Sequence, residues 1–161
     1  MTIAVGDKLP EATFKVRTPD GLKDVTTSEL TAGRKVVLFA VPGAFTPTCH
    51  ARHVPSYLEH LDALKAKGVA EVACVAVNDA FVLDAWAKAT GADGKLTLLS
   101  DGNGTFTKAI GLDFDGSGFG LGIRSKRYAM LVDNGVVKIL NIEESPGVME
   151  VSGADQILAA L

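Results

Sequence analysis

The chain has 161 residues, of which 47% are hydrophobic and 22% are charged, and its formal net charge is −3. This length and composition predict a single domain over residues 1–161 with a full core. The 16 lysines and arginines are spread along the sequence, which argues against a basic surface for nucleic acids. The longest apolar run, Val36 to Val41 with its neighbours, is too short to span a membrane.

The chain contains two cysteines, Cys49 and Cys74. Two are too few for a disulfide scaffold in a chain of this length, which indicates a reducing compartment. The first residues, Met1 to Asp7, lack the basic and apolar regions of a signal peptide. We therefore expect a cytoplasmic protein.

The first half of the chain predicts a hairpin followed by a βαβ unit. In order, the predicted elements are strands at Thr13–Val16 and Leu22–Val25 around the turn Pro19-Asp20-Gly21, a strand at Lys35–Val41, a helix with Tyr57, Leu58, Leu61 and Leu64 at helical spacing that ends at Gly68, and a strand at Val72–Val77. The two later strands are apolar on both faces. Such strands, joined by a helix, are typical of a buried parallel sheet.

The second half predicts further alternation of helices and strands. In order, the predicted elements are a helix capped by Asp79 with an apolar stripe of Phe81, Val82, Ala85, Trp86 and Ala89, a strand at Leu96–Leu99, a short helix at Thr105–Ile110, a hairpin of Tyr128–Val132 and Val136–Ile142 around Asp133-Asn134-Gly135, and a helix that starts with Ser152 and Asp155 and ends at Leu161. This pattern predicts an α/β protein with a thioredoxin-like fold. Its central mixed sheet is flanked by helices, and the first hairpin is an N-terminal extension.

The most informative segment follows the first buried strand and reads Pro42-Gly43-Ala44-Phe45-Thr46-Pro47-Thr48-Cys49. It places Cys49 where a helix should begin, and a helix N-terminus stabilises the thiolate form of cysteine. Two prolines fix φ on either side of Thr46, and Gly43 permits a close turn. The segment therefore predicts an activated thiol, in preference to a small buried residue that happens to precede a helix.

A cation is expected beside this thiol. Reactive groups in α/β sheets gather beyond the carboxyl ends of the parallel strands. If Tyr128–Val132 runs antiparallel to those strands, Arg127 lies at the same edge and can stabilise a thiolate. The alternative is a solvated basic loop formed by Arg124, Lys126 and Arg127. Of these three residues, Arg127 is favoured for the site because it lies directly before a buried strand.

Several segments, in matching order over almost the whole chain, resemble a type II (peroxiredoxin-5-like) peroxiredoxin. They are Pro42 to Cys49, Val77-Asn78-Asp79 with Trp86 following, Asp101-Gly102, and Arg124 to Tyr128 leading to Asp133-Asn134-Gly135. The residues that match the family's site are Cys49 as the peroxidatic cysteine, Thr46 and Arg127 as its partners, and Pro42 as its shield. The resemblance also implies a thioredoxin fold with extra elements and a homodimer formed near the loop that holds Phe45.

The chemistry of the residues agrees with this resemblance. A thiolate that attacks a peroxide needs hydrogen-bond donors around the breaking O–O bond. The candidate donors are the N–H groups of Thr48 and Cys49, the Thr46 hydroxyl and the Arg127 guanidinium. The predicted substrate site further includes Gly43, Phe45 and Phe119. We expect a thiol-dependent peroxidase for hydrogen peroxide and small organic hydroperoxides, with a sulfenic acid intermediate on Cys49 and with no cofactor or metal.

The sulfenic acid must be reduced by a second thiol. Cys74 is the only internal candidate, but a mid-strand cysteine is expected to be buried and inert. A Cys49–Cys74 disulfide needs Cα atoms within about 7 Å and local unwinding of the helix. A cysteine matching Cys74 occurs in plant-like members, which the resemblance links to glutathione and glutaredoxin. We favour an external thiol, glutathione or glutaredoxin ahead of thioredoxin, and the internal disulfide remains the alternative.

Other interpretations are weaker. Cys49, His53 and His60 have the spacing of metal ligands, but no fourth ligand completes the set. Cys49 and His53 could also form the catalytic pair of a cysteine hydrolase. A histidine four residues after the cysteine also matches the family, so we expect His53 to be an orienting residue. Residues 113–124 imitate a calcium loop but end in arginine. Cys49-His50-Ala51-Arg52 lacks the second cysteine of a dithiol reductase. A thioredoxin-like interaction module or chaperone without turnover stays open.

Overall fold

The computed structural model describes residues 2–161. The strands are β1 (Thr13–Thr18), β2 (Gly21–Thr26), β3 (Lys35–Val41), β4 (Val69–Ala76), β5 (Thr97–Ser100), β6 (Asp113–Asp115), β7 (Ile123–Ser125), β8 (Tyr128–Asp133) and β9 (Val136–Ile142). The α-helices are α1 (Thr27–Thr31), α2 (Val54–Glu59), α3 (Leu61–Ala66), α4 (Ala80–Thr90), α5 (Thr105–Ala109) and α6 (Ala154–Ala160). A π-helical turn covers Cys49–His53, and a 3-10 turn covers Ser117–Phe119. Among residues 2–161, none of the helices has the length and apolar character needed to cross a bilayer.

Seven of the strands form one mixed sheet in the order β2-β1-β5-β4-β3-β8-β9. Strand β4 pairs in parallel with both β3 and β5, whereas β8 and β1 join the sheet antiparallel. Strands β6 and β7 form a separate two-stranded ribbon. The α/β prediction with a thioredoxin-like mixed sheet and an N-terminal hairpin is confirmed.

Strand β3 has the predicted bounds because both of its faces are buried. Alternate residues enter two core layers on opposite sides of the sheet, Val37, Phe39 and Val41 in one and Val36, Leu38 and Ala40 in the other. All six are fully buried, and each of the larger side chains contributes about 1.5–3 kcal/mol through this burial. The first of these layers also contains Cys49, Tyr57 and Trp86, so the Cys49 side chain packs against the core on this face of the sheet.

The single helix predicted before β4 is wrong, because the helical segment begins with a π-helical turn and is then divided at His60. A wider π-helical turn covers Cys49–His53, and it is closed by a hydrogen bond from Val54 N to Cys49 O. Pro55 has no N–H and cannot make the α-helical bond to the carbonyl four residues earlier. The helix then breaks at His60 (φ −102°, ψ 8°), which separates α2 from α3.

Helix α4 begins as predicted but turns a different face to the core. Asp79 caps it, with Oδ1 accepting from Val82 N at 2.8 Å. Of the predicted apolar stripe, Trp86 is buried as expected, whereas Phe81 is 55% exposed. The other buried side chains of the helix are Ala80, Leu83 and Ala87.

The last helix also starts differently from the prediction. Gly153 occupies the N-cap position without a side-chain hydrogen bond, and the helix begins at Ala154. Ser152 does not cap it. The Ser152 hydroxyl donates instead to Glu143 Oε2 at 2.6 Å.

The pairing of the central strands brings two chain segments to one edge of the sheet. Ala40, near the end of β3, pairs with Val75 of the parallel strand β4 and with Tyr128 at the start of the antiparallel strand β8. The Pro42–Cys49 segment and Arg127 therefore leave the sheet side by side.

Candidate active site

Cys49 lies in the first turn of the helical segment. Pro47 and Thr48 are its first helical residues, and His50 N donates to Thr46 O at 2.9 Å. The N–H groups of the first turn have no acceptors within a helix, so those of Thr48 and Cys49 remain available to a ligand. The Cys49 side chain itself has 0% exposure.

The guanidinium of Arg127 lies against this sulfur. Its Nη2 donates to Cys49 Sγ at 2.9 Å, and the residue is only 2% exposed. Within residues 2–161, Arg127 makes no ion pair with a carboxylate. A buried guanidinium stays charged and requires a partner of opposite charge. The Cys49 sulfur lies where that partner is needed.

Arg127 is held in place by further contacts. Its Nε and Nη2 donate to Pro146 O at 3.2 and 3.0 Å, and its Nη1 donates to His53 Nδ1 at 2.8 Å. With the bond to Cys49, these contacts use four of the five N–H groups of the side chain. The orientation of the guanidinium is therefore fixed before any substrate arrives.

His53 is a neutral acceptor for Arg127. Its Nε2 lies 3.0 Å from Ser152 O, and a carbonyl can only accept, so Nε2 carries the proton and Nδ1 does not. Burial and the positive charge of Arg127 lower the pKa of His53 to about 3. Because Nδ1 is occupied by Arg127, His53 is not placed to take a proton from Cys49, which argues against a cysteine hydrolase.

A cavity of about 440 Å³ opens beside the buried thiol. It is lined by Pro42, Thr46, Pro47, Thr48, Phe114, Phe119, Leu121, Arg127, Pro146 and Gly147. The predicted site residues Gly43 and Phe45 are outside this lining. Phe45 is 52% exposed, has a positive φ of 64°, and stacks on His50 with ring centroids 5.8 Å apart.

The segment that carries Thr46 is braced by residues that the sequence analysis did not assign to the site. Arg124 Nη1 donates to Pro42 O at 3.2 Å, and Asn78 Oδ1 accepts from Ala44 N at 3.0 Å. Arg124 therefore contacts the active-site segment and is not part of a solvated basic loop, which was the alternative in the sequence analysis. The position of Asn78 in the loop that follows β4 was the available signal, since loops at that edge of the sheet approach each other.

A second brace reaches the residue after the thiol. Trp86 Nε1 donates to His50 Nδ1 at 3.0 Å. The sequence analysis placed Trp86 in the apolar stripe of its helix and among the residues that carry the resemblance, but gave it no role in the site. Its indole N–H connects α4 to the turn that holds Cys49.

Cys74 lies in the middle of β4, where it pairs with Phe39 and Leu98 on the two neighbouring strands. It is 1% exposed, and both cysteines are free thiols. Burial raises the pKa of the Cys74 thiol well above its ordinary value, and the nearby Cys49 raises it further. A thiol that resists ionisation is a poor nucleophile.

The alternative metal-binding motifs have other hydrogen-bond partners. His60 Nδ1 lies 2.9 Å from Ser56 O, and Asp115 Oδ1 accepts from Ser117 N at 2.9 Å. In the part of the chain that the structure describes, no three histidine, cysteine or acidic side chains are grouped as metal ligands.

Comparison with known proteins identifies the family. Residues 4–158 match the Redoxin family. The chain is 57% identical to the chloroplastic peroxiredoxin-2E-2 of Oryza sativa, over 99% of this chain and 73% of that protein. It is 51% identical to the chloroplastic peroxiredoxin-2E of Arabidopsis thaliana, over 99% and 70%. The crystal structure of reduced Prx3 with H2O2 from Vibrio vulnificus superimposes with a TM-score of 0.93 at 54% identity, over 99% of each chain.

The expectation of a cytoplasmic protein is contradicted. The two plant relatives are chloroplastic proteins and not cytoplasmic ones. A low cysteine count indicates a reducing environment but does not distinguish one reducing compartment from another. Targeting segments are separate from the folded domain, so the composition of the domain does not indicate the subcellular location.

These similarities cover nearly the whole chain at identities above half, and the chain places a buried cysteine, Cys49, against the guanidinium of Arg127. The chain therefore belongs to the Redoxin family and, within it, to the type II peroxiredoxins, which are thiol-dependent peroxidases.

Proposed function

We propose that Cys49 is the peroxidatic cysteine and that Arg127 and Thr46 complete its site. The observation that carries this proposal is the 2.9 Å contact between Arg127 Nη2 and Cys49 Sγ. The thiolate attacks one peroxide oxygen, an S–O bond forms and the O–O bond breaks. The departing oxygen takes up a proton and leaves as water or an alcohol, and Cys49 becomes a sulfenic acid.

The fast reaction of Cys49 with peroxide comes from alignment of the sulfur, the O–O bond and the hydrogen-bond donors around them. A thiolate stabilised by a cation is also a weaker nucleophile, so stabilising it does not by itself accelerate the reaction. Negative charge moves from sulfur to the departing oxygen, and the Arg127 guanidinium with the N–H groups of Thr48 and Cys49 can follow that movement. The Thr46 hydroxyl was expected from the sequence to be a donor, but Thr46 Oγ1 already donates to Gly43 O at 2.6 Å. It therefore meets the peroxide as an acceptor and fixes the proton of the attacked oxygen.

The cavity supports small organic hydroperoxides as substrates beside hydrogen peroxide. Its walls include the apolar side chains of Pro42, Phe114, Phe119 and Leu121. A short alkyl tail buried against these groups gains about 0.8 kcal/mol for each CH₂. Pro42 shields the thiol on this side, and Phe119, itself 78% exposed, lies where a longer tail would reach solvent.

An external thiol recycles the enzyme, and glutathione or glutaredoxin is favoured over thioredoxin. Cys74 is buried within the sheet, and burial raises its pKa, so it is a poor resolving thiol. Cys49 is also buried, so a bulky thiol cannot contact its sulfur while the turn stays closed. The π-helical turn over Cys49–His53 must open before reduction, and such turns are frequent at functional sites.

We further propose one domain over residues 1–161 and a homodimer whose interface includes Phe45. The seven-stranded sheet joins β1 and β2 near the start of the chain with β8 and β9 near its end, and Ile157 of α6 packs in the same core layer as Cys49, which supports a single unit. The exposed aromatic ring of Phe45 on a left-handed backbone supports an interface role. Sedimentation should show a dimer for the wild type and a monomer for Phe45→Asp; dimers in both would remove Phe45 from the interface.

One assay tests the activity and the reductant together. Peroxide consumption is followed with glutathione alone, with glutathione and glutaredoxin, or with thioredoxin, each coupled to its reductase. We expect turnover with glutathione and glutaredoxin that is abolished in Cys49→Ser and retained in Cys74→Ser. Undiminished turnover in Cys49→Ser would refute the mechanism, and turnover with thioredoxin alone would reverse the choice of reductant.

A further inference from the structure

A buried carboxylate organises the loop opposite the thiol. Glu143 follows β9 and is 6% exposed. Its Oε2 accepts four hydrogen bonds of 2.6–2.9 Å, from Glu150 N, Val151 N, Ser152 N and Ser152 Oγ. Together these donors compensate the charge of a carboxylate that water scarcely reaches.

The same loop, residues 145–152, supplies the carbonyl groups that hold the site. Pro146 O accepts from Arg127, and Ser152 O accepts from His53 Nε2 at 3.0 Å. Gly147 O accepts from Thr48 Oγ1 at 3.0 Å. The conformation of this loop therefore determines where the guanidinium and the start of the helix lie.

Two routes connect Glu143 to Arg127. The carboxylate fixes Ser152, whose carbonyl fixes His53, which in turn accepts from Arg127 Nη1. Glu143 N also donates to Arg127 O at 3.0 Å. A change at the carboxylate is thus transmitted to the guanidinium without any contact between Glu143 and the substrate cavity.

We propose that Glu143 is a positioning residue for peroxide reduction: its carboxylate holds the 145–152 loop so that the Arg127 guanidinium is aligned with Cys49 Sγ. This inference rests on the proposed roles of Cys49 and Arg127. A neutral amide holds the same four donors less strongly. Its oxygen can take the place of Oε2 but carries no charge, and hydrogen bonds to an ionised acceptor are roughly twice as strong as those to a neutral one.

Glu143→Gln tests the proposal through two rates. We expect the second-order rate constant for oxidation of Cys49 by hydrogen peroxide to fall about 10- to 100-fold, as is typical when a supporting residue behind a reactive group is lost. Alkylation of Cys49 by iodoacetamide at alkaline pH, where thiolate predominates, needs no alignment with an O–O bond and should change little. The control is Glu144→Gln at the exposed neighbouring carboxylate, which should leave both rates unchanged. An unchanged peroxide rate in Glu143→Gln, or an equal loss in both reactions, would overturn the proposal.

A double variant separates positioning from general loosening of the fold. In an Arg127→Ala background, Glu143→Gln should cause no further loss of peroxide rate, because the group that it aligns is gone. Losses that multiply would overturn the positioning role. A wild-type rate in Arg127→Ala alone would instead refute the proposed function, so the two failures are distinguishable.

Circular dichroism establishes that each variant is folded. If Glu143→Gln does not fold, Glu143→Asp keeps the charge but withdraws the carboxylate from the loop by one CH₂. The same selective loss of peroxide rate is then expected. A wild-type peroxide rate in Glu143→Asp would overturn the proposal.

Discussion

Arg127 and Cys49 form a buried cation–sulfur contact, with Nη2 2.9 Å from Sγ and no carboxylate of residues 2–161 paired with the guanidinium. The arrangement places a permanent positive charge against a sulfur atom that has 0% exposure. A carboxylate beside Arg127 would compete for its charge. The protein instead surrounds the guanidinium with neutral acceptors, Pro146 O and His53 Nδ1.

His53 makes stability depend on pH. Its pKa is about 3 in the folded protein, below its ordinary 6.5. The unfolded chain therefore binds an extra proton between these values, and the stabilisation present above pH 6.5 is lost as the pH falls toward 3. Between about pH 7 and about pH 4 this amounts to about 3 kcal/mol.

The matched variant is His53→Asn, which keeps an acceptor for Arg127 but does not titrate. Urea unfolding at the two pH values should show a pH-dependent loss about 3 kcal/mol smaller than in the wild type. The same loss in both proteins would show that His53 does not titrate as its burial requires.

Gly43→Ala should displace Arg124. An added Cβ would lie 2.6 Å from Arg124 Nη1 and 3.2 Å from Thr46 Cγ2. The flexible arginine gives way and loses its bond to Pro42 O, which costs about 1 kcal/mol. Unfolding free energies and peroxide rates of the single and double variants form the test. We expect Gly43→Ala to cost much less in an Arg124→Ala background, whereas additive effects would contradict this cause.

Cys74 should not form a disulfide with Cys49 during turnover. After one equivalent of peroxide without added thiol, mass spectrometry with a sulfenic-acid trap should find the modification on Cys49. Cys74→Ser should give the same product, because the buried Cys74 thiol does not ionise readily. A dominant intramolecular disulfide in the wild type would establish Cys74 as the resolving residue.

Trp86 should report opening of the active-site turn. It is the single tryptophan of the chain and donates to His50, the residue after Cys49. We expect its fluorescence to change when a thiol forms a mixed disulfide with Cys49, since the turn must open for that reaction. Cys49→Ser should show no such change. Constant emission during formation of the mixed disulfide would indicate that the turn stays closed.

Much of the fold could be predicted because its signals are local. Strand β3 has the predicted bounds Lys35–Val41, since an unbroken apolar run between turn signals fits only a strand that is buried on both faces. Helix α4 was harder. Its sequence carries apolar residues on two faces, and contact with the sheet selects Leu83 and Trp86 over Phe81.

The sequence could predict only those parts of the site that are formed by side chains of a particular type. Pro42, Thr46, Thr48, Phe119 and Arg127, five of the predicted residues, line one cavity beside Cys49. The groups that orient them are backbone carbonyls far along the chain: Ser152 O lies 99 positions from His53. A carbonyl is present in every residue, so no sequence pattern marks the ones that bind Arg127 or His53.

The most direct test of the account is the second-order rate constant of Cys49 with hydrogen peroxide in Arg127→Ala, measured by stopped flow against Lys126→Ala. Lys126 is the exposed neighbouring cation, so it controls for the loss of one positive charge. We predict a loss of about 100- to 1,000-fold for Arg127→Ala, the usual cost of removing one well-placed donor, and a near wild-type rate for Lys126→Ala. A wild-type rate in a folded Arg127→Ala protein would contradict the central role of the Arg127–Cys49 contact.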